Sequence, residues 1–362
     1  MDHSKENARQ SLKVAGVVSF YMGAALVMVF VNKAVLNSSP DLPLLFLLIQ
    51  LVLAVVLLHA SALVTSKVEI PKLELRTAKK LIPVTLVNVI GLVFNILCLR
   101  GVEASFFQIA RGLVLPLTIM VSSSATRSVP SVRVILAAII VTVGFLVGVA
   151  PQSLQAVENI RAPPSSISIM YGVLSSLFIA VHAVLIKSSL PHAHNSTIQL
   201  AYWQNLGSAI LLAPFILLQG EQNKFQELMA SAEWDSHVFV WGSVVTGVFG
   251  FLLCVAGLLS IKVTSPITHM FSSAARSVIQ TLLGVLLFSD VLTANRALSI
   301  VIILVGSMYY TWVKSVESAP SHLPSAALRP IPKDIEAVLP KDRDEDNVVV
   351  WNADEKRVKQ SA

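Results

Sequence analysis

Two arginines sit where a cation is hard to keep. Arg111 lies in FFQIARGLVLPL and Arg276 in HMFSSAARSVIQTLLG. An arginine near the centre of a membrane helix costs about 2.5–3.5 kcal/mol even on a lenient insertion scale. At about 1.5 Å per residue, Arg111 is about 12 Å along its helix from Glu103, and Arg276 about 21 Å from both Lys262 and Asp290. No Asp or Glu occurs deep in any apolar run to neutralise them. The missing counter-ion therefore reads as a small anionic solute. Guanidinium groups grip phosphate oxygens two at a time, which makes a phosphate ester the natural anion.

The neighbouring polar residues fit such a site. His269, Ser272, Ser273, Arg276 and Gln280 follow helical spacing and share one face. Gln108 and Arg111 share another, as do Asn88 and Asn95, seven apart; helix-to-helix hydrogen bonding is the alternative role of those two asparagines. Tyr202, Trp203, Gln204 and Asn205 open a further apolar run. Together they predict a cationic cavity in which Tyr202, Trp203, Phe106 and Phe107 stack on a nucleobase. His59 and His182, alone on apolar helices, read as packing residues.

Membrane-spanning elements must position these groups. Of the 362 residues, 54% are hydrophobic and only 13% charged, against roughly 25% charged in soluble domains. A membrane helix needs about 20 apolar residues. Ten such runs fall near 14–36, 42–65, 80–99, 103–125, 132–150, 167–187, 198–218, 238–260, 264–289 and 294–314. The fold class predicted is all-α integral membrane, ten transmembrane helices as two inverted five-helix repeats. The halves span 14–150 and 167–317, joined by a lumenal connection at 151–166. Residues 1–13 form a cytosolic N-terminus and 318–362 a polar, disordered cytosolic tail. The orientation follows from charge. Twelve Lys and Arg fall in connections on the side of the N-terminus, tail excluded, against five opposite, so both termini face the cytosol. Odd-numbered halves have opposite topologies, which places the binding site at the midplane between them.

Several functions are excluded. The net charge of +6 is modest and scattered, so no nucleic-acid surface is implied. Cys98 and Cys254 make neither a disulfide framework nor a metal site, and no cofactor is expected. A membrane enzyme such as a lipid-linked transferase needs paired carboxylates or metal ligands, and the sequence clusters neither. A receptor or scaffold leaves the two arginines unexplained. The acidic residues Asp2 and Glu6 argue against a transit peptide.

Four segments carry a resemblance: FVNKAVL (30–36), FNILCLRGVEASFFQIARGL (94–113), IKVTSPITHMFSSAARSVIQT (261–281) and YTWVKSVE (310–317). They resemble the GDP-fucose transporters of the Golgi, in the nucleotide-sugar and triose-phosphate transporter group of the drug/metabolite transporter superfamily. The resemblance implies antiport of GDP-fucose against GMP across the Golgi membrane. Lipid is then the solvent, and a homodimer stays open. It also implies substrate contacts at Arg111, Lys33, Lys262, Ser272 and Gln280, which match the relatives, whereas Phe107 and Gln108 stand where relatives have Tyr and Asn. Where relatives carry Lys, this chain has Arg276. The alternatives are GDP-mannose, another nucleotide sugar or a sugar phosphate.

Overall fold

The computed structural model describes the backbone of residues 2–66, 68–150, 165–231, 234–263, 266–290 and 292–318, and their side chains except within 2–15 and 254–274. The expected connection at 151–166 and tail at 318–362 lie almost wholly outside these residues. So do the side chains of Lys262, His269, Ser272 and Ser273.

Among the described residues all regular structure is helical. In chain order the helices are α1 (Asp2–Ser38), α2 (Pro43–Val64), α3 (Leu75–Gly101), α4 (Ala104–Gly112), α5 (Val114–Thr126), α6 (Val132–Val149), α7 (Ser166–Ser189), α8 (Thr197–Leu218), α9 (Glu221–Ala230), α10 (Ser236–Val263), α11 (Pro266–Phe288) and α12 (Ala294–Ser318). Nine segments among the described residues are long and apolar enough to cross a membrane. The run expected at 264–289 is α11, of which the described apolar part is Ala275–Phe288. The first helix extends well N-terminal of residue 14. The amphipathic α9 inside the connection 219–237 was not anticipated.

One crossing is broken. Ala104–Thr126 divides at Leu113 into α4 and α5. Pro116 has no N–H to offer the carbonyl of Gly112, so the helical ladder fails there. Leu113 instead closes a tight turn, its N–H reaching the Ala110 carbonyl at 3.3 Å. Arg111 stands in the last turn before this break.

The bundle packs in related couples. α6 runs along α12, α3 along α7, and α1 along α10, while α2 meets α8 and α10, and α3 meets α8. Exchange α1, α2, α3 and α6 for α7, α8, α10 and α12. The α3–α7 pair becomes α10–α1, the α2–α10 pair becomes α8–α3, and α2–α8 and α6–α12 map onto themselves. Two halves of like construction pack this way. Small residues permit the close approach: a Cβ on Gly144 would sit 2.9 Å from Ile303, and one on Gly306 would sit 2.7 Å from Val141. Outward, Ile135, Ile139, Val143 and Leu146 of α6 are exposed. An apolar stripe of that kind suits lipid.

The ends of α1 and α3 and the starts of α2 and α4 gather at the face that carries α9. The end of α2 and the starts of α3 and α8 gather at the opposite face, where Trp203 packs with Leu81, Val84, Ala193 and Leu200.

Candidate functional site

A cavity of about 290 Å³ opens between α3, α4 and α7, lined by Asn88, Gly91, Leu92, Asn95, Arg111, Phe178 and His182 among others. α3 contributes its polar stripe at heptad spacing. Arg111 lies within the bundle and lines this cavity. Its guanidinium lies over the Phe107 ring, 5.7 Å from the centroid. Arg276 of α11 and the Tyr21 hydroxyl of α1 lie within electrostatic reach of it. The two arginines, 165 residues apart along the chain and in opposite halves, thus come close enough to feel each other's charge.

Among the described residues neither arginine forms an ion pair. The ion pairs among the described residues join Lys224 to Asp41, Arg296 to Glu103 and Lys314 to Glu317. Arg276 keeps a buried Nε with no hydrogen-bond partner among the described residues. Two adjacent like charges in low dielectric repel strongly, so an anion entering between them gains from both.

The other polar groups are held ready by neighbours. Asn88 donates to Ser208 Oγ at 3.2 Å, and Asn95 Oδ1 accepts from Ser175 Oγ at 3.4 Å. His182 Nε2 lies 2.9 Å from Gln204 Nε2. The histidine, read from sequence as packing, is a cavity wall; nothing in its apolar neighbourhood along the chain signals that. Leu92 also borders a second chamber, of about 360 Å³, which holds Gln50, Asn205 and Thr246 and runs to Thr65, Val68 and Ile198 at the opposite face. Gln50 bridges Asn32 (2.8 Å) and Thr246 (2.9 Å) there, an arrangement across α1, α2 and α10 that sequence reasoning missed.

Several expected contacts have other partners. The Lys33 ammonium is buried at the end of α3, donating to the carbonyls of Leu99 (2.9 Å), Arg100 (3.4 Å) and Val102 (2.6 Å). A cation there satisfies carbonyls that the helix leaves free. Gln280, 2% exposed, donates to the Ala104 carbonyl at 3.1 Å. Trp203 is 8% exposed in its apolar cluster, and Tyr202 meets His59 edge-on at 5.3 Å. Asn205 donates to the Ala201 carbonyl at 2.8 Å while lining the second chamber. Phe106 is core, and Gln108 is half-buried one turn from Arg111.

Comparison with known proteins gives the architecture a lineage. The model of the Triose-phosphate Transporter family matches residues 12–311. The chain is 31% identical to GDP-fucose transporter 1 of Monosiga brevicollis, over 85% of this chain and 92% of the relative. It is 30% identical to the GDP-fucose transporter, Golgi, of Drosophila melanogaster, over 86% and 93%. GDP-fucose transporter 1 of Dictyostelium discoideum is 29% identical over 84% and 81%. A helical membrane bundle matched over most of its length by one family leads to one conclusion: the chain belongs to the Triose-phosphate Transporter family, and its work is transport rather than catalysis.

Proposed function

We propose that this protein is a nucleotide-sugar antiporter of the Golgi membrane, bringing GDP-fucose into the lumen in exchange for GMP, with both termini in the cytosol. The observation that carries the reading is the meeting of Arg111 and Arg276 without an acidic partner among the described residues. The names of the relatives supply the nucleotide sugar. A pyrophosphate diester carries about two negative charges, and GMP a similar total near neutral pH, its second phosphate pKa being about 6. Two guanidinium groups balance either ligand. One cavity then carries both, in opposite directions, with little change in buried charge. Without cargo the arginines face each other unscreened, which disfavours an empty return and favours obligatory exchange.

Purified protein in liposomes preloaded with GMP tests this. GDP-fucose uptake is expected to need internal GMP and to exceed uptake of GDP-mannose, UDP-sugars and hexose phosphates. Arg111→Ala and Arg276→Ala are expected to abolish exchange with the protein still inserted, and Arg276→Lys to keep part of it. Wild-type exchange by Arg276→Ala would make Arg276 a structural residue and the mechanism wrong.

A further inference from the structure

Glu221 and Asp290 take no part in the charge balance above, yet they are buried carboxylates, 2% and 4% exposed. Each directly follows a residue in the left-handed conformation that ends a helix of the second half. Gly220 (φ 70°) ends α8, and Ser289 (φ 52°) ends α11. The reversal turns each carboxylate toward the first half. Glu221 accepts from the backbone N–H of Leu44 at 3.1 Å through Oε1 and of Leu45 at 2.7 Å through Oε2. Asp290 accepts from the N–H of Ser105 at 3.1 Å through Oδ2. These are first-turn amides of α2 and α4, which have no partner inside their own helices, and an anion there is also favoured by the helix dipole. Asp290 is itself seated. Its N–H reaches the Gly284 carbonyl at 3.2 Å, and a Cβ on Gly284 would stand 2.7 Å from its Oδ2.

The two grips are counterparts. The acid after the second crossing of one half holds the start of the second crossing of the other; the acid after the fourth holds the start of the fourth. Both lie at the α9 face. The charged groups facing them there are Lys33 and Glu103 beside Asp290, and Lys224 and Arg100 beside Glu221. At the opposite face the counterpart positions follow α2 and α5. They are Thr65-Ser66 and Arg127-Ser128, with no acid. The start of α8 is capped there by its own Ser196, which accepts from the Gln199 N–H at 3.3 Å. The second chamber reaches that same face.

We propose that Glu221 and Asp290 are the latches of a gate at the α9 face: the carrier without cargo rests closed there and open at the opposite face, and both grips release whenever the α9 face opens. The inference rests on the transport reading only in requiring that the cavity be exposed alternately. With the proposed orientation, the resting carrier presents its cavity to the cytosol.

The test introduces Asn95→Cys on the cavity wall and follows its labelling by a membrane-impermeant thiol reagent in sealed vesicles, with the reagent at one face at a time. Labelling is measured above that of the chain that keeps Asn95. Glu221→Ala and Asp290→Ala are each expected to raise the rate from the α9 face about tenfold, equivalent to about 1.4 kcal/mol, without raising it from the opposite face. Asp290→Asn keeps an oxygen for the Ser105 amide and is expected to stay within about twofold of the chain carrying Asn95→Cys alone. Unchanged labelling in inserted alanine variants overturns the proposal, and so does an equal rise from both faces. If the alanine variants do not insert, Glu221→Gln decides, since it keeps one acceptor of two; no rise from the α9 face then overturns the proposal. Labelling needs no substrate, so a failure of the GDP-fucose reading leaves this result standing.

Discussion

Lys33 separates two roles that a lysine in an apolar helix can play. As a substrate contact it would set affinity; as the closure of α3 it sets stability. Its ammonium makes two strong hydrogen bonds, at 2.6 and 2.9 Å, and one weaker bond at 3.4 Å, to carbonyls at the end of α3. Lys33→Met keeps most of the length of the side chain and removes the donors. Hydrogen bonds to a charged group contribute about 1.5–3 kcal/mol each, so two of them sum to about 3–6 kcal/mol. Removing the charge also removes the cost of burying it, which returns part of that sum. The net destabilisation is about 2–4 kcal/mol, because the carbonyls stay buried and lose their donor. In a protein of this size that corresponds to a fall in apparent melting temperature of about 3–5 °C. Thermal unfolding in detergent, followed beside GMP affinity of the folded fraction, reads both quantities. A variant that melts with the wild type but loses GMP affinity tenfold or more would refute the closure role and return Lys33 to the site.

Trp203→Ala empties an apolar cluster of Leu81, Val84 and Leu200 and is expected to cost about 3–5 kcal/mol, with GMP affinity of the folded protein unchanged. Lost affinity at wild-type stability would place the ring against the nucleobase. Gly172→Ala would bring a Cβ within 2.9 Å of the Ala110 Cβ and 3.1 Å of the Cys98 Sγ, pushing α7 from the helix that carries Arg111. Exchange is expected to fall well below that of Gly23→Ala, where nothing lies within 4 Å; equal rates would show that the α4–α7 contact does not position the arginine. Burial raises the carboxyl pKa of Glu221 above its ordinary 4.5 and of Asp290 above 3.8. The folded state then holds these protons more tightly than the unfolded state, so their contribution is fully present below the ordinary values and is lost as pH rises through the raised ones. Melting curves across that window should show the loss, and Glu221→Gln with Asp290→Asn should flatten it.

Composition and the length of the apolar runs were enough to determine that this chain folds in lipid, because a backbone without water must pair within helices. The crossings were legible for the same reason, and so was the oddity of Arg111 and Arg276. Each is costly at its depth, and a cost visible in one helix needs no knowledge of the others. Which groups meet was not legible. Gln280 and Trp203 read as site residues because polar and aromatic side chains in apolar helices suit a cavity and a helix junction equally well, and Lys33 did so through the resemblance alone. Helical periodicity gives the face a residue occupies but not what packs on it. Only the packed bundle brings the end of α3 to Lys33, the Ala104 carbonyl to Gln280 and an apolar cluster to Trp203. The same holds for His182, which α7 turns into the cavity, and for Glu221 and Asp290, whose partners lie more than a hundred residues away along the chain. Backbone amides at a helix start carry no signature in sequence for the acid that will cap them from afar. That choice was made by the way the two halves pack.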